Sequence, residues 1–297
     1  MTDDRPKILN AKRSELKPPE EGLWKGSEGA KFKISWALGV LLLGAVIVLL
    51  PLVVVFLTSF APPGGTPGGL PKNGWSLINY RDAWQRGKFL LAFANSTLVA
   101  LAVTAFQIIT SALAGYALAR LKFRGRQALL LIVLATLVIP FQWLVIPVFL
   151  VLKWGHLINT YWALIIPTAA NGFGIFLLRQ YFLTIPVELE EAAAIDGADR
   201  LQILWRVMLP LARPALVTLF LFTFIGEWND IFKPLVFTTR PELRTVQLAL
   251  AEFQEQFTNN WPLMMAAVTI ATVPVMLLFL VGQRQFIRGI ATTGIKN

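Results

Sequence analysis

The sequence predicts an all-α integral membrane protein with six transmembrane helices and both termini in the cytoplasm. Three observations carry this expectation. Of 297 residues, 56% are hydrophobic and only 15% charged, a balance that suits a lipid-embedded chain far better than a water-soluble globule. Five runs free of Asp, Glu, Lys and Arg are long enough to cross the hydrocarbon core, which takes roughly 20 residues of helix. The basic residues are also unevenly spread. Of 27 Lys and Arg, 19 fall in residues 1–33, 119–126, 179–213 and 284–297, and 8 in the alternate segments. Cationic loops stay on the cytoplasmic side, which places both termini there.

The elements follow in order. Residues 1–33 carry eight basic and six acidic residues and read as a retained, partly disordered cytoplasmic tail with no cleavage site. Ile34–Phe60 is the first span. "APPGGTPGGLP" (Ala61 to Pro71) cannot continue a helix and separates that span from the rest. Residues 89–283 then hold a five-helix core. Its clean runs are Phe89–Ala119, Gln127–Leu152, Leu157–Leu178 and Phe257–Gln283. Between them, Pro214 through Gly226 covers only about two thirds of a span. We extend it to about Val236, which brings Glu227 and Asp230 inside or to its outer end. "RLKFRGR" (Arg120 to Arg126) is a basic turn suited to anionic headgroups, and Lys153 to His156 closes a tight outer hairpin. Pro140, Pro147, Pro167 and Pro274 predict kinks, while Ser111, Gly115 and Ala119 predict close helix packing. Residues 237–261 form a long outer loop and residues 284–297 a second cytoplasmic tail.

Residues 184–210 form a cytoplasmic loop with a distinctive pattern. In "TIPVELEEAAAID", Pro186 suits a first helical position, Glu188, Glu190 and Glu191 complement a helix N-terminus, and three alanines favour helix. Gly197 fits the left-handed position that ends such a helix, and Asp199 can cap the next. In that second helix Leu201, Leu204, Trp205 and Met208 share one face. The product is a helix–glycine–helix projection with small alanines for close approach and a carboxylate for a basic partner. The same features also suit an ordinary amphipathic loop at the interface.

Glu191-Ala192-Ala193, three residues, Gly197, nine residues, Val207, one residue, then Leu209-Pro210 resembles the E-A-A-x3-G-x9-I-x-L-P signature of bacterial ATP-binding-cassette importer permeases, with valine in place of isoleucine. "EWND" (Glu227 to Asp230), Pro234-Leu235 and "QRQFIRGIATTGIKN" are similar to the carbohydrate-importer branch, in particular its maltose-type second permease subunit. The resemblance covers roughly Phe89 to Asn297. It implies a type I importer permease fold in the bacterial inner membrane, with Glu190, Glu191, Ala192, Ala193, Asp196, Gly197 and Ala198 seated against an ATPase. It implies that Glu252, Glu255 and Asn259 meet an external solute-binding protein, and that Thr293, Gly294 and Lys296 enter the ATPase dimer. The implied partners are a second permease subunit, two ATPase subunits, the binding protein and lipid, with no nucleic acid.

Other classes are poorly served by the residues. There are no cysteines and one histidine, His156, so thiolate or histidine metal sites and cysteine nucleophiles are absent. No G-x-x-x-x-G-K-[ST] loop occurs, so the chain is expected to need no cofactor of its own, with ATP and Mg held by the ATPases. An enzyme would need a constellation of reacting groups that the sequence does not offer. The alternative is a proton-coupled secondary carrier using Glu227 and Asp230, since burying carboxylates in a span is costly. Candidate substrate-pathway residues are the polar groups within spans: Asn95, Thr104, Gln107, Asn171, Glu227, Trp228 and Asn229. Amides, carboxylates and aromatic faces are what sugar recognition needs. Asn95 and Gln107 also suit interhelical hydrogen bonds, and Trp228 an interface anchor.

Overall fold

The computed structural model describes residues 26–62, 74–257 and 260–294, and no strand occurs among them. The chain divides into two units, residues 1–54 and 55–297. In the first unit the described part belongs to α1 (Gly26–Ser59), whose side chains from Leu38 to Val54 are exposed on every face. An apolar surface all round is what a lipid-facing span requires. Its described part already runs as helix from Gly26, ahead of the expected Ile34.

The second unit is built on α3 (Phe89–Arg120), a straight helix about 48 Å long. Before it, α2 (Ile78–Arg86) holds the end of α1: Asn79 Nδ2 donates to the carbonyls of Ser59 at 2.9 Å and Ala61 at 2.7 Å. After it come α4 (Arg126–Thr136), α5 (Val145–Trp154), α6 (Tyr161–Ile165) and α7 (Gly172–Thr184). Next are α8 (Glu188–Ile195), α9 (Arg200–Ile203), α10 (Leu209–Leu211) and α11 (Arg213–Trp228). The chain closes with α12 (Phe232–Phe237), α13 (Val246–Gln256) and α14 (Trp261–Gly294). α3 packs most extensively on α7 and then on α11, and α11 packs on α14. The close approach of α3 to α7 depends on Gly115, where a Cβ would sit 3.1 Å from the Arg179 backbone nitrogen and 3.2 Å from the Ile175 carbonyl.

Two of the expected spans are bent pairs, as their prolines predict, and a third bent pair joins the second helix of the cytoplasmic loop to α11. α4 and the segment Phe141–Trp154 meet at 94°, Tyr161–Thr168 and α7 at 45°, and Arg200–Leu211 and α11 at 81°. Counting each pair as one crossing gives up to six with α1, α3 and α14. Prolines account for the first two breaks. Pro140 supplies no N–H and drives Ile139 out of helical conformation. Pro167 sits in a 3₁₀ turn (Ile166–Thr168), after which Asn171 restarts the helix by accepting from the Phe173 N–H at 2.7 Å. Pro274, in contrast, lies within a continuous α14.

The extension of the sixth run to Val236 is also corrected. α11 stops at Trp228, and Asp230 Oδ1 accepts the backbone N–H of Phe232 at 2.8 Å, starting α12 as a separate helix. A carboxylate competes with the helical backbone for its own neighbours' N–H groups, which is why the run breaks there. The cytoplasmic loop differs too. Leu204–Met208 form a π-helical turn, whose i→i+5 bonding puts more residues in the turn and so rotates the expected apolar face. Ile203, Leu204 and Met208 are buried, while Leu201 and Trp205 are left exposed.

Candidate functional site: a docking corner and a buried polar network

The docking corner is made by a short helix and its C-terminal turn. α8 ends in a Schellman motif, with the Ala198 N–H bonded to the Ala193 carbonyl and the Gly197 N–H to the Ala194 carbonyl, both at 3.0 Å. Gly197 has φ +86°, a conformation open to glycine at no steric cost. Asp199 then starts α9 with a capping box: it accepts the Gln202 N–H at 2.8 Å, and its own N–H donates to Gln202 Oε1 at 3.1 Å. Glu191, Ala192, Asp196 and Gly197 are exposed on this corner, Ala193 and Ala198 are half-buried against the core, and Ile195 is 86% exposed. An isoleucine that open beside a carboxylate offers a partner both apolar area and charge.

Glu190 is not on that surface. It is 5% exposed and turned inward, with Oε1 2.5 Å from Arg120 Nε as a close charge contact. Tyr116 donates its hydroxyl to Glu190 Oε2 at 3.3 Å. Arg120 also donates to the carbonyl of Phe182 at 2.8 Å and to that of Ile185. Arg126 donates to the Ala119 and Leu121 carbonyls at the C-terminus of α3. The turn read as suited to anionic headgroups therefore commits Arg120 and Arg126 to helix C-termini, where cations complement the dipole. Lys122 and Arg124 remain exposed.

A second constellation lies inside the bundle. Thr223 donates to Gln107 Oε1 at 2.8 Å, and Gln107 Nε2 donates to the Thr168 carbonyl at 2.7 Å. Lys233 Nζ donates to Thr168 Oγ1 at 2.7 Å and to Glu227 Oε2 at 2.6 Å, with Asp230 Oδ2 at 3.4 Å. Lys233 is 3% exposed. The chain of bonds joins α3, the break before α7, the end of α11 and the start of α12, so each group removed from water has a partner.

The remaining pathway candidates are dispersed. Asn95 donates to the carbonyls of Glu242 at 2.7 Å and Arg244 at 2.8 Å and accepts from Tyr161 at 2.7 Å, pinning the segment before α13. Thr104 bonds the Ala100 carbonyl of its own helix. Asn171 is an exposed helix cap. Trp228 is 1% exposed, donates to the Ala271 carbonyl at 3.1 Å and packs against Phe93 and Phe224, which makes it core rather than an interface anchor. Asn229 is exposed and bonded to Ile225 and Gln247. Only Gln107 and Glu227 share one network.

On α13, Glu252 pairs with Arg244 at 2.5 Å and Glu255 is exposed. Asn259 lies outside the described residues. The backbone of Thr293 and Gly294 lies within α14, and Lys296 lies outside the described residues. Sequence reasoning missed Tyr116, Arg120, Lys233, Thr168 and Thr223. A signal existed for Lys233: a lone lysine within "IFKPLVF" must find a carboxylate if it is buried, and "EWND" precedes it.

A helical membrane protein with broken spans and an exposed helix–glycine–helix corner has the architecture of a transport subunit. The chain belongs to the family of binding-protein-dependent transport system inner membrane components, whose model matches residues 107–292. It is an inner-membrane permease. It is 33% identical to the arabinooligosaccharides transport system permease protein of Halalkalibacterium halodurans over 85% of this chain and 93% of that protein. It is 32% identical to a diacetylchitobiose uptake system permease protein of Streptomyces coelicolor, covering 85% of each. Among solved structures, a bacterial ABC transporter involved in the import of the acidic polysaccharide alginate matches with a TM-score of 0.75 at 28% identity, over 88% of this chain and 98% of that one.

Proposed function

We propose that this permease carries a sugar or related polyhydroxy solute into the cell, forming half of the pathway with a second permease subunit. Two separate ATPase subunits supply the energy, and an external solute-binding protein delivers the cargo. The named relatives that carry oligosaccharides support the substrate class. The observation that carries the coupling role is the corner of Glu191, Ala192, Asp196, Gly197 and Ile195, a rigid exposed surface held by a closed helix terminus. On this reading it faces the cytoplasm and seats in the ATPase, while Glu252 and Glu255 face the binding protein and Thr293, Gly294 and Lys296 reach the ATPase dimer.

The test is the reconstituted complex, with ATP hydrolysis measured as loaded binding protein is added and sugars, glycosides and glycerol phosphodiesters are screened in turn. Stimulation by one class identifies the cargo. Glu191→Lys should abolish co-purification of the ATPase and solute uptake. Parental uptake and co-purification in that variant would refute the coupling role.

A further inference from the structure

We propose that Glu190 is a positioning residue that locks α8 to the end of α3, so that movement imposed on the exposed corner is passed into the bundle instead of being absorbed by the loop. The inference rests on the coupling role of that corner. α8 has eight residues, too few to hold a helix or an orientation unaided. Its packing on the core comes from half-buried Ala193, with Ala198 in the turn that follows, and side chains so small offer little to resist sliding. Glu190 supplies the directional bond.

The partner makes the bond a three-way joint. Arg120 holds the Glu190 carboxylate and the Phe182 and Ile185 carbonyls at once, and a planar guanidinium fixes all three directions together. The ends of α3 and α7 and the first turn of α8 therefore meet at one side chain, with Tyr116 one turn earlier on α3 holding the other carboxylate oxygen. α3 also bears Gln107, 13 residues before Arg120 and about 20 Å along the helix. It thus joins the corner to the polar network within the bundle. Adjacent glutamates have divided duties: Glu191 looks out to a partner and Glu190 looks in.

The test uses the full reconstituted complex and reads solute moved per ATP hydrolysed, a ratio that a merely structural defect does not change. Glu190→Gln keeps the shape of the side chain and removes its charge. It should co-purify with the ATPase and hydrolyse ATP, while solute per ATP falls about fivefold or more, the lower bound of ordinary coupling between sites. Tyr116→Phe, which leaves the ion pair in place, should lower the ratio less. An unchanged ratio in Glu190→Gln, or a fall in uptake matched by equal loss of ATPase co-purification, overturns the proposal. Where Glu190→Gln fails to assemble, a parental ratio in Tyr116→Phe overturns it. Glu191→Lys separates the two claims, since parental uptake there removes the coupling role itself, whereas its failure beside a normal Glu190→Gln removes only the joint.

Discussion

Lys233→Met should be among the most destabilising single substitutions in the bundle. The ammonium is 4% exposed and holds Glu227 at 2.6 Å, Asp230 at 3.4 Å and Thr168 at 2.7 Å. Its loss leaves two carboxylates facing one another without a cation. Breaking a buried pair on one side costs about 3–5 kcal/mol, and with two acceptors orphaned the upper end, about 5 kcal/mol, applies. Glu227→Gln leaves Lys233 with Asp230 and should cost about 3 kcal/mol or less. The double variant removes the principal ion pair, so its cost should lie below the sum of the single costs by up to about 3 kcal/mol, the upper end of coupling between contacting residues. The ten tryptophans give a fluorescence signal for reversible unfolding in mixed detergent, and uptake is measured on the same preparations. The double variant should transport once folded. A double variant as stable as the parent but unable to move solute would refute the structural role and return Glu227 to the pathway. Additive single effects would show that the pair does not act as a unit.

Three further outcomes follow from local geometry. A Cβ at Gly197 meets nothing within 4 Å, so its φ of +86° alone decides: Gly197→Asn should be nearly neutral and Gly197→Val should cost about 1–2 kcal/mol or more and uncouple uptake, measured by unfolding and transport. At Gly115 the reverse holds, because space is the limit; Gly115→Val should cost about 1–3 kcal/mol by wedging α3 from α7, and a thermal shift below that of Gly115→Ala checks it. In this cysteine-free chain, Asp196→Cys should react with an impermeant thiol reagent only in inside-out vesicles and Arg240→Cys only in intact cells, and labelling of both from one side would overturn the topology.

The docking corner was legible in the sequence because its signals are local. A glycine with positive φ, an acidic first turn and an Asp-x-x-Gln box each act within a few residues of themselves. Bends at Pro140 and Pro167 were legible from the prolines, though not their size, whereas the break at Asp230 was hidden because hydropathy measures transfer to lipid and is indifferent to a local cap. The register of Leu201 and Trp205 was misread for a related reason. A π turn follows from packing around Leu204 and Met208 rather than from any pattern in "LQILWRVM". Pairings were the least accessible: nothing within "RLKFRGR" separates Arg120, which closes three helix ends, from Arg124, which faces outward. Glu190 and Glu191 are likewise equivalent on paper and differ only by which side of a short helix meets α3.

The same pairings bear on the source of energy. A carboxylate serving as a proton relay must surrender its charge during each cycle. If Glu227 did so, the counter-charge left to Lys233 in the network would be Asp230 Oδ2 at 3.4 Å, beside the neutral hydroxyl of Thr168 at 2.7 Å. Each turnover would then expose a poorly compensated buried ammonium, with a penalty of the size that breaking the pair by mutation incurs. Beside it, Thr223 donates to Gln107, Gln107 donates to the Thr168 carbonyl, and the Thr168 hydroxyl accepts from Lys233. Polar groups so fully committed hold the two broken spans against α3. On the proposed coupling, the work of moving solute enters from outside the span, at the exposed corner beside Gly197 that Glu190 and Arg120 join to α3.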